Sequence, residues 1–478
     1  MKHLLVFVVT FLLYTTLGNP LNVSAYSDDD DGYNQRGERV ENIRQPAQVY
    51  STPDGGPQQY RAYNYSGANC DGYTVNYNPD SNIKLVFLGQ YLQRFDINPS
   101  NYAKVHRLGC FLKSLDADYI FTDTEEAILA PLNSSTAASE FINNAVPSVA
   151  PTLVFDLLTK LYGITLVAVA NNHVFDLGVD GFLYTLDQLK QRNVPYVGGG
   201  HNISEAVAPK ILPLRNPYKK LAIHAVVSAP SLNIYGGKAN SISPGVNHMQ
   251  VDSQTNPRIV DSVAQQLQFD TIQAACQSSD IVVSYHHNHY NNRTNPFNRL
   301  AWETDYRQGT IDHGASFYVS HGAAVMLGVE SYKGALIFHN LGSLVFQTTN
   351  GGYYVPDAFE SVIGMVELDR DTTQIEAVTF WPVALNGPPE AGGQSNPTYW
   401  QALGFPGFLP TAGQPQNLFS PVEQGMAILY RFKAMSAELG TTIEIDDNSV
   451  TASIVFERKF QNTKPSRNLK CRRYHNDF

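Results

Sequence analysis

Groups of polar side chains stand directly after short apolar runs in this chain: Gly89-Gln90, Asp123-Thr124-Glu125, Asn171-Asn172-His173, His286-His287-Asn288-His289 and His321. In an open α/β sheet, ligands collect beyond the carboxyl ends of the strands, where loops converge and helix amino termini point inward with partial positive charge. Carboxylate, amide and imidazole donors with no thiol nearby are the kind that hold hard or borderline divalent metals beside a phosphate or carboxylate. Each group also has a structural use. Asn171, Asn172 and Asp176 can close a turn and cap the helix that follows. His286 to His289 can form a solvated loop, Glu125 and Glu126 can be surface acids, and His321 can be a hydrogen-bonded histidine. On a strand-like path His287 and His289 point the same way and opposite to His286, so all three ligate one ion only if a turn intervenes.

The elements that must position these residues are short β-rich runs alternating with helical patterns from Lys84 to about Leu385, the texture of stacked βαβ units. Strands are expected at Leu85 to Leu88, Tyr119 to Phe121, Thr165 to Val169, Ile281 to Tyr285, Phe317 to Val319 and Leu336 to Phe338. Gly181 to Asn193 reads as a helix with Phe182, Leu183, Leu186 and Leu189 on one stripe. Ser420-Pro421-Val422-Glu423 is a capping box with Pro at the first helical position, opening a helix that ends near Gly440. Thr442 to Ile445 and Val450 to Phe456 then read as a hairpin.

The most specific motif is Ala170-Asn171-Asn172-His173-Val174-Phe175-Asp176-Leu177-Gly178, with Asn202, Glu205-Ala206 and Pro209 downstream. It resembles the A-N-N-H-x-x-D-x-G and N-x-x-E-A-x-x-P motifs of the CapA family of poly-γ-glutamate capsule synthesis. Ala117-Asp118-Tyr119-Ile120-Phe121 leading to Glu125 resembles that family's A-D-x-x-F-A-N-L-E block, and Asp280 to His286 its D-x-V-V-V-S-x-H strand. Gly328 to Phe338 with Leu341-Gly342 resembles the stretch ending S-L-G-N-F-V-F.

The resemblance implies an α/β fold of the metallophosphoesterase type, a four-layer αββα sandwich, with two metals held by Asp, Asn and His side chains. Carried over, Asn172 is the metal-side amide, His173 the phosphate-facing acid, and Asp123, Glu125, His286 and His321 further metal-side residues. Asp176 orients His173 or caps the next helix. The chain departs from the family where G-D reads Gly89-Gln90, where the Asn of N-L-E is Asp123, where G-H-H-P-H reads Ser320-His321-Gly322-Ala323-Ala324, and where the last Asn is Ser343. Losing a carboxylate and two imidazoles weakens a two-metal site, because each ligand supplies charge and geometry.

Residues 1–25 have the charged, apolar and small-residue layout of a secretory signal peptide, and no later segment is apolar enough to span a bilayer. The organisation expected after it is a flexible leader over 26–81, the main domain over 82–386, a Gly/Pro-rich loop or linker over 387–420, a packed helix and hairpin over 421–460, and a basic tail over 461–478. Of 478 residues, 43% are hydrophobic and 16% charged, enough to bury a large core. The net charge of -10 argues against nucleic acid or an anionic membrane as partner, and against loose electrostatic capture of a polyanion. In an oxidising compartment the four cysteines, Cys70, Cys110, Cys276 and Cys471, read as up to two disulfides of open connectivity. Tripeptides at Asn64, Asn133, Asn202 and Asn292 fit the N-glycosylation pattern.

The function implied is a secreted factor for making or exporting poly-γ-glutamate, whose strand-end cleft takes carboxylate or phosphate groups of an anionic polymer or small ligand. The alternatives are a metal-dependent phosphoester or amide hydrolase using Asn172, His173, Glu125 and His286, and a secreted matrix protein that keeps the scaffold without the chemistry.

Overall fold

The computed structural model describes residues 78–93, 102–129, 149–229, 237–251, 262–290, 300–323, 325–346, 356–385, 400–401 and 421–456. The signal segment, the leader up to residue 77 with Cys70, the tripeptides at Asn64, Asn133 and Asn292, Ser420, and the tail with Cys471 lie outside the described residues. So does residue 324, together with nearly all of 387–420.

Strands assemble where the apolar runs led one to expect them, most of them into two large sheets. The first has the order Ile443–Asp446, Thr451–Ile454, Ile375–Ala384, Glu360–Leu368, Ile83–Phe87, Tyr119–Asp123, Leu166–Ala168, Tyr196–Val197. From Ile83–Phe87 onward its neighbours are parallel, as crossover helices require, and on the other side they are antiparallel. The second sheet runs Val329–Tyr332, Ala335–Phe338, Phe317–His321, Ile281–Asn288, Lys220–Ser228, Lys210–Pro213, with parallel pairing in the middle and antiparallel edges.

The sheets pack face to face through aromatic side chains. The Phe87 ring lies 6.0 Å from Phe317 and 5.3 Å from Phe338, and Phe121 lies 5.3 Å from Tyr285 at an interplanar angle of 69°. Burying each such ring contributes roughly 1.5–3 kcal/mol. Helices Ser262–Ser278 and Ala301–Asp312 cover the outer face of the second sheet, setting Ile272, Trp302 and Tyr306 on Val226, Val282 and Tyr318. Helix Tyr102–Ser114 covers the first, where Phe111 meets Trp381 edge-on at 5.4 Å. The fold is the four-layer αββα sandwich expected for the metallophosphoesterase type.

Helix Pro421–Glu438 packs Phe432 on Phe380 at 4.6 Å and reaches the second sheet, where Val329 N–H donates to Ser436 Oγ at 3.2 Å. The expected linker is not wholly a loop, since Trp400–Gln401 pairs antiparallel with Val345–Phe346. Neither Cys110 nor Cys276 is a free thiol.

One element runs longer than expected, with consequences for the site. The strand begun at Ile281 does not stop at Tyr285 but continues to Asn288, because its parallel ladder with Lys220–Ser228 runs on to the Asn288–Ser228 pair. His289 N–H still donates to Ser228 O at 2.8 Å. No turn intervenes among the histidines. Every residue of the strand is buried, as a parallel strand covered on both faces must be.

Candidate functional site

The loops after three strands of the two sheets converge at one end of the sandwich. Asn171 ties two of them together. Its Oδ1 accepts from the backbone N–H of His173 at 3.0 Å and Val174 at 2.8 Å, an Asx turn, while its Nδ2 donates to Asp123 Oδ1 at 3.0 Å and Thr124 O at 2.6 Å. Asn171 therefore takes the turn-closing role its residue type allowed. That turn aims Asn172 and His173 inward. His173 Nδ1 lies 2.7 Å from Asp176 Oδ2, with both side chains almost wholly buried. The helix beginning at Gly178 has no side-chain cap, so Asp176 serves the histidine rather than the helix.

The second sheet contributes the facing residues. Along an unbroken strand alternate side chains share a face, and Tyr285, packed on Phe121, sets the inner one. His287 follows two residues later. Its Nδ1 lies 2.8 Å from Asp123 Oδ2, and its Nε2 lies 2.8 Å from Asn172 Oδ1 and 3.3 Å from Glu125 Oε1. His289 is next on the same face, its Nε2 3.4 Å from Glu125 Oε1 and its ring centre 4.8 Å from that of His287. Asp123, Glu125, Asn172, His173 and Asp176 of the residues expected from the sequence thus come together, and His287 and His289 join them.

Both ring nitrogens of His287 face oxygen acceptors, an arrangement that suits the doubly protonated imidazolium. Burial alone would lower the pKa of this ring, but the Glu125 and Asp123 carboxylates raise it to about 9. Burial would raise Glu125, but the His287 and His289 rings hold it well below the usual carboxylate range. Burial pushes the Asp123 carboxyl up against the pull of His287 and Asn171. The cluster carries its own cation between two acids.

Two expected metal-side residues do not join these donors. His286 faces the outer layer, with Nδ1 2.8 Å from Tyr318 Oη, Nε2 3.0 Å from Ser228 Oγ, and its ring edge-on to Tyr306 at 5.1 Å. Burial, reinforced by Arg307, keeps its pKa well below the ordinary histidine value. The cause of this correction is strand parity: the ladder continues through position 288, so neighbours 286 and 287 must point to opposite faces. His321 lies on the inner side but both nitrogens are engaged, Nε2 donating to Leu88 O at 3.0 Å and Nδ1 lying 3.2 Å from Tyr285 Oη. Burial and the nearby His287 charge push its pKa down to about 3, so it is neutral. His287 and His289 could have been found from their shared face with Tyr285.

The residues do not fit a two-metal centre. Gln90 is buried, and its Oε1 accepts from Gly322 N–H at 3.4 Å. Gly322 itself has φ +116°, and a Cβ there would lie 2.2 Å from Asn288 O, so no imidazole-bearing residue fits that backbone. With His321 committed to hydrogen bonds, the half of the frame that would hold a second ion is filled by neutral contacts. The other half keeps a donor set, because Glu125, His287 and His289 each offer one ligand atom and these lie within 4.8 Å of one another. Glu125 Oε2 and Asn172 Nδ2 are buried there without hydrogen-bond partners.

Comparison with known proteins matches residues 99–348 to the family model described as bacterial capsule synthesis protein PGA_cap. An uncharacterized protein, y4sH, of Sinorhizobium fredii is 23% identical over 376 residues, covering 63% of this chain and 78% of that protein. The PGA biosynthesis protein CapA of Bacillus subtilis is 30% identical over 186 residues, 38% of this chain and 42% of its own length. The capsule biosynthesis protein CapA of Bacillus anthracis is 26% identical over 192 residues, 39% of this chain and 41% of its own. The aligned part is thus less than half of either CapA protein.

Proposed function

We propose, from the premise that the chain belongs to the bacterial capsule synthesis protein PGA_cap family, that it acts in the synthesis or export of an anionic polymer of the poly-γ-glutamate type. The observation that carries this reading is the cluster of His287, His289, Asn172 and His173 at the end of the sandwich where loops of both sheets converge, all of it inside the matched residues. His289, 14% exposed beside the buried acids, is the imidazole of this cluster that a carboxylate or phosphate group can reach from outside. Recognition is then local, as the net charge of -10 demands, since the molecule as a whole repels a polyanion. The names of the Bacillus relatives, which concern PGA and capsule biosynthesis, support the same class of polymer.

The protein acts in this reading outside the cytoplasm. The signal-peptide layout of residues 1–25 supports export, and the lack of a free thiol at Cys110 or Cys276 supports disulfides formed in an oxidising compartment. No helix among the described residues is long and apolar enough to cross a membrane.

The test is equilibrium binding of purified protein to poly-γ-glutamate and to a neutral polysaccharide. Selective binding of poly-γ-glutamate that His289→Ala weakens at least tenfold is expected. Equal retention of both polymers, or no effect of the substitution, overturns the reading.

A second reading, a phosphoester or amide hydrolase, is favoured by the buried His173–Asp176 pair at 2.7 Å, which can orient a general acid. It requires turnover that His173→Ala abolishes; an inactive native protein with a full complement of bound metal removes it.

A further inference from the structure

The donor distances around Glu125 point to a different inorganic partner from the one the fold type implies. We propose that Glu125, His287 and His289 form a site for one divalent cation of the zinc class, in tetrahedral surroundings, in place of a two-metal centre. The ion count does not depend on the polymer role proposed above, because it is read on the protein alone.

Geometry argues first. Zinc binds imidazole nitrogen and carboxylate oxygen at about 2.0–2.2 Å, and a tetrahedron of that size spaces its donors about 3.3–3.6 Å apart. An octahedral magnesium site of about 2.0–2.1 Å would bring adjacent donors to about 2.9 Å. Glu125 Oε1 lies 3.3 Å from His287 Nε2 and 3.4 Å from His289 Nε2, the tetrahedral spacing on the two edges that meet at the carboxylate, and all three donor atoms lie within 4.8 Å of one another. Two imidazoles and a carboxylate are also the donor chemistry that favours zinc over the hard cations.

The surroundings supply what such a site needs. The His287 ring is oriented through its other nitrogen, Nδ1, by Asp123 at 2.8 Å, the carboxylate–imidazole support typical of a metal-bound histidine. Asp123 is a positioning residue here, not a ligand. Glu125 Oε2, buried without a hydrogen-bond partner, is an acceptor that the protein itself leaves unsatisfied. Access comes from one side only, since His289 is 14% exposed while Glu125 and His287 are 4% and 0% exposed. A fourth ligand, water or a carboxylate, would have to enter from that side, past His289.

Among the described residues, the positions expected to hold a second ion are otherwise engaged. Gln90 Oε1 is turned to Gly322 N–H, both nitrogens of His321 are used, and Gly322 cannot carry a side chain. The imidazole at 289 takes over, from the neighbouring strand, the work of one of the donors missing at 322 and 324.

The experiment uses the purified full chain, stripped with a chelator, and titrates it with zinc chloride under competition from a chromophoric chelator. One equivalent of tight binding is expected, with the intense visible bands of tetrahedral cobalt when Co2+ replaces zinc. His289→Ala should lower affinity at least about 100-fold, more than loss of an outer partner does, and Asp123→Asn about 10–100-fold. His289→Gln, which keeps bulk and polarity, is the second variant, and thermal melts of the metal-free variants establish that each is folded. Two equivalents bound, no binding by the folded native chain, or unchanged affinity in folded His289→Ala and His289→Gln overturns the proposal.

Discussion

His287 Nδ1 stands 2.8 Å from Asp123 Oδ2 although the two residues lie 164 positions apart and come from different sheets. The contact joins the carboxyl end of a first-sheet strand to that of a second-sheet strand, so the site and the closure of the sandwich share one ion pair. Both side chains are fully buried, where breaking one partner of a charge pair costs more than the pair contributes.

Stability of the metal-free protein should fall at alkaline pH. The His287 pKa is raised from its ordinary value near 6.5 to about 9, so its contribution is complete below pH 6.5 and is lost as pH rises through 9. The span is on the order of 3 kcal/mol. Urea midpoints measured between pH 6 and 10 should drop for the native chain and stay flat over that window for His287→Gln.

On the acid side the slope has the opposite sign, because here the folded-state pKa values are depressed rather than raised. Burial lowers His224 to about 4, His248 to about 4 and His321 to about 3, so the folded chain keeps these rings neutral while the unfolded chain protonates them near 6.5. The unfolded state then binds more protons, and stability falls as pH drops below 6.5. A maximum near pH 6.5 is expected; a plateau reaching down to pH 4 would contradict it.

His286→Phe separates the two faces of one strand. It leaves Tyr318 Oη and Ser228 Oγ without the imidazole they contact, a loss of about 1–3 kcal/mol for each buried group left unpaired. Denaturant unfolding should show that loss, while zinc affinity should change less than about threefold because the ring lies across the sheet from Glu125.

Arg215 is buried at 1% exposure between Asp116 at 3.0 Å and Asp118 at 2.7 Å, and it also donates to the backbone near Asn78. Arg215→Ala should cost about 3–5 kcal/mol, since it strands two acids. Double replacement with Asp118→Asn should recover part of that loss in an additive-cycle measurement.

Much of this was legible in the chain itself. The apolar runs located the strands and the polar groups after them, because a parallel sheet must place its loops at one end. The Asn171 turn followed from residue type, and the family motifs gave the sandwich. The pairing of His287 with Asp123 was not legible, because the length of a strand depends on its neighbour's ladder, and one residue of error exchanges the faces. Likewise the block around Asp118 resembled a functional motif, yet Asp118 spends its carboxylate on Arg215, a contact spanning 97 positions that no local pattern announces.

The crowding at Gly322 bears on any attempt to rebuild the site. A histidine at that position would press on the carbonyl of Asn288, the last residue of the strand Ile281–Asn288, which sits between His287 and His289. The two ligand sets are mutually exclusive for a reason of backbone space. Re-engineering a binuclear enzyme from this chain would mean moving the strand first, and moving it would dismantle the cluster it already presents.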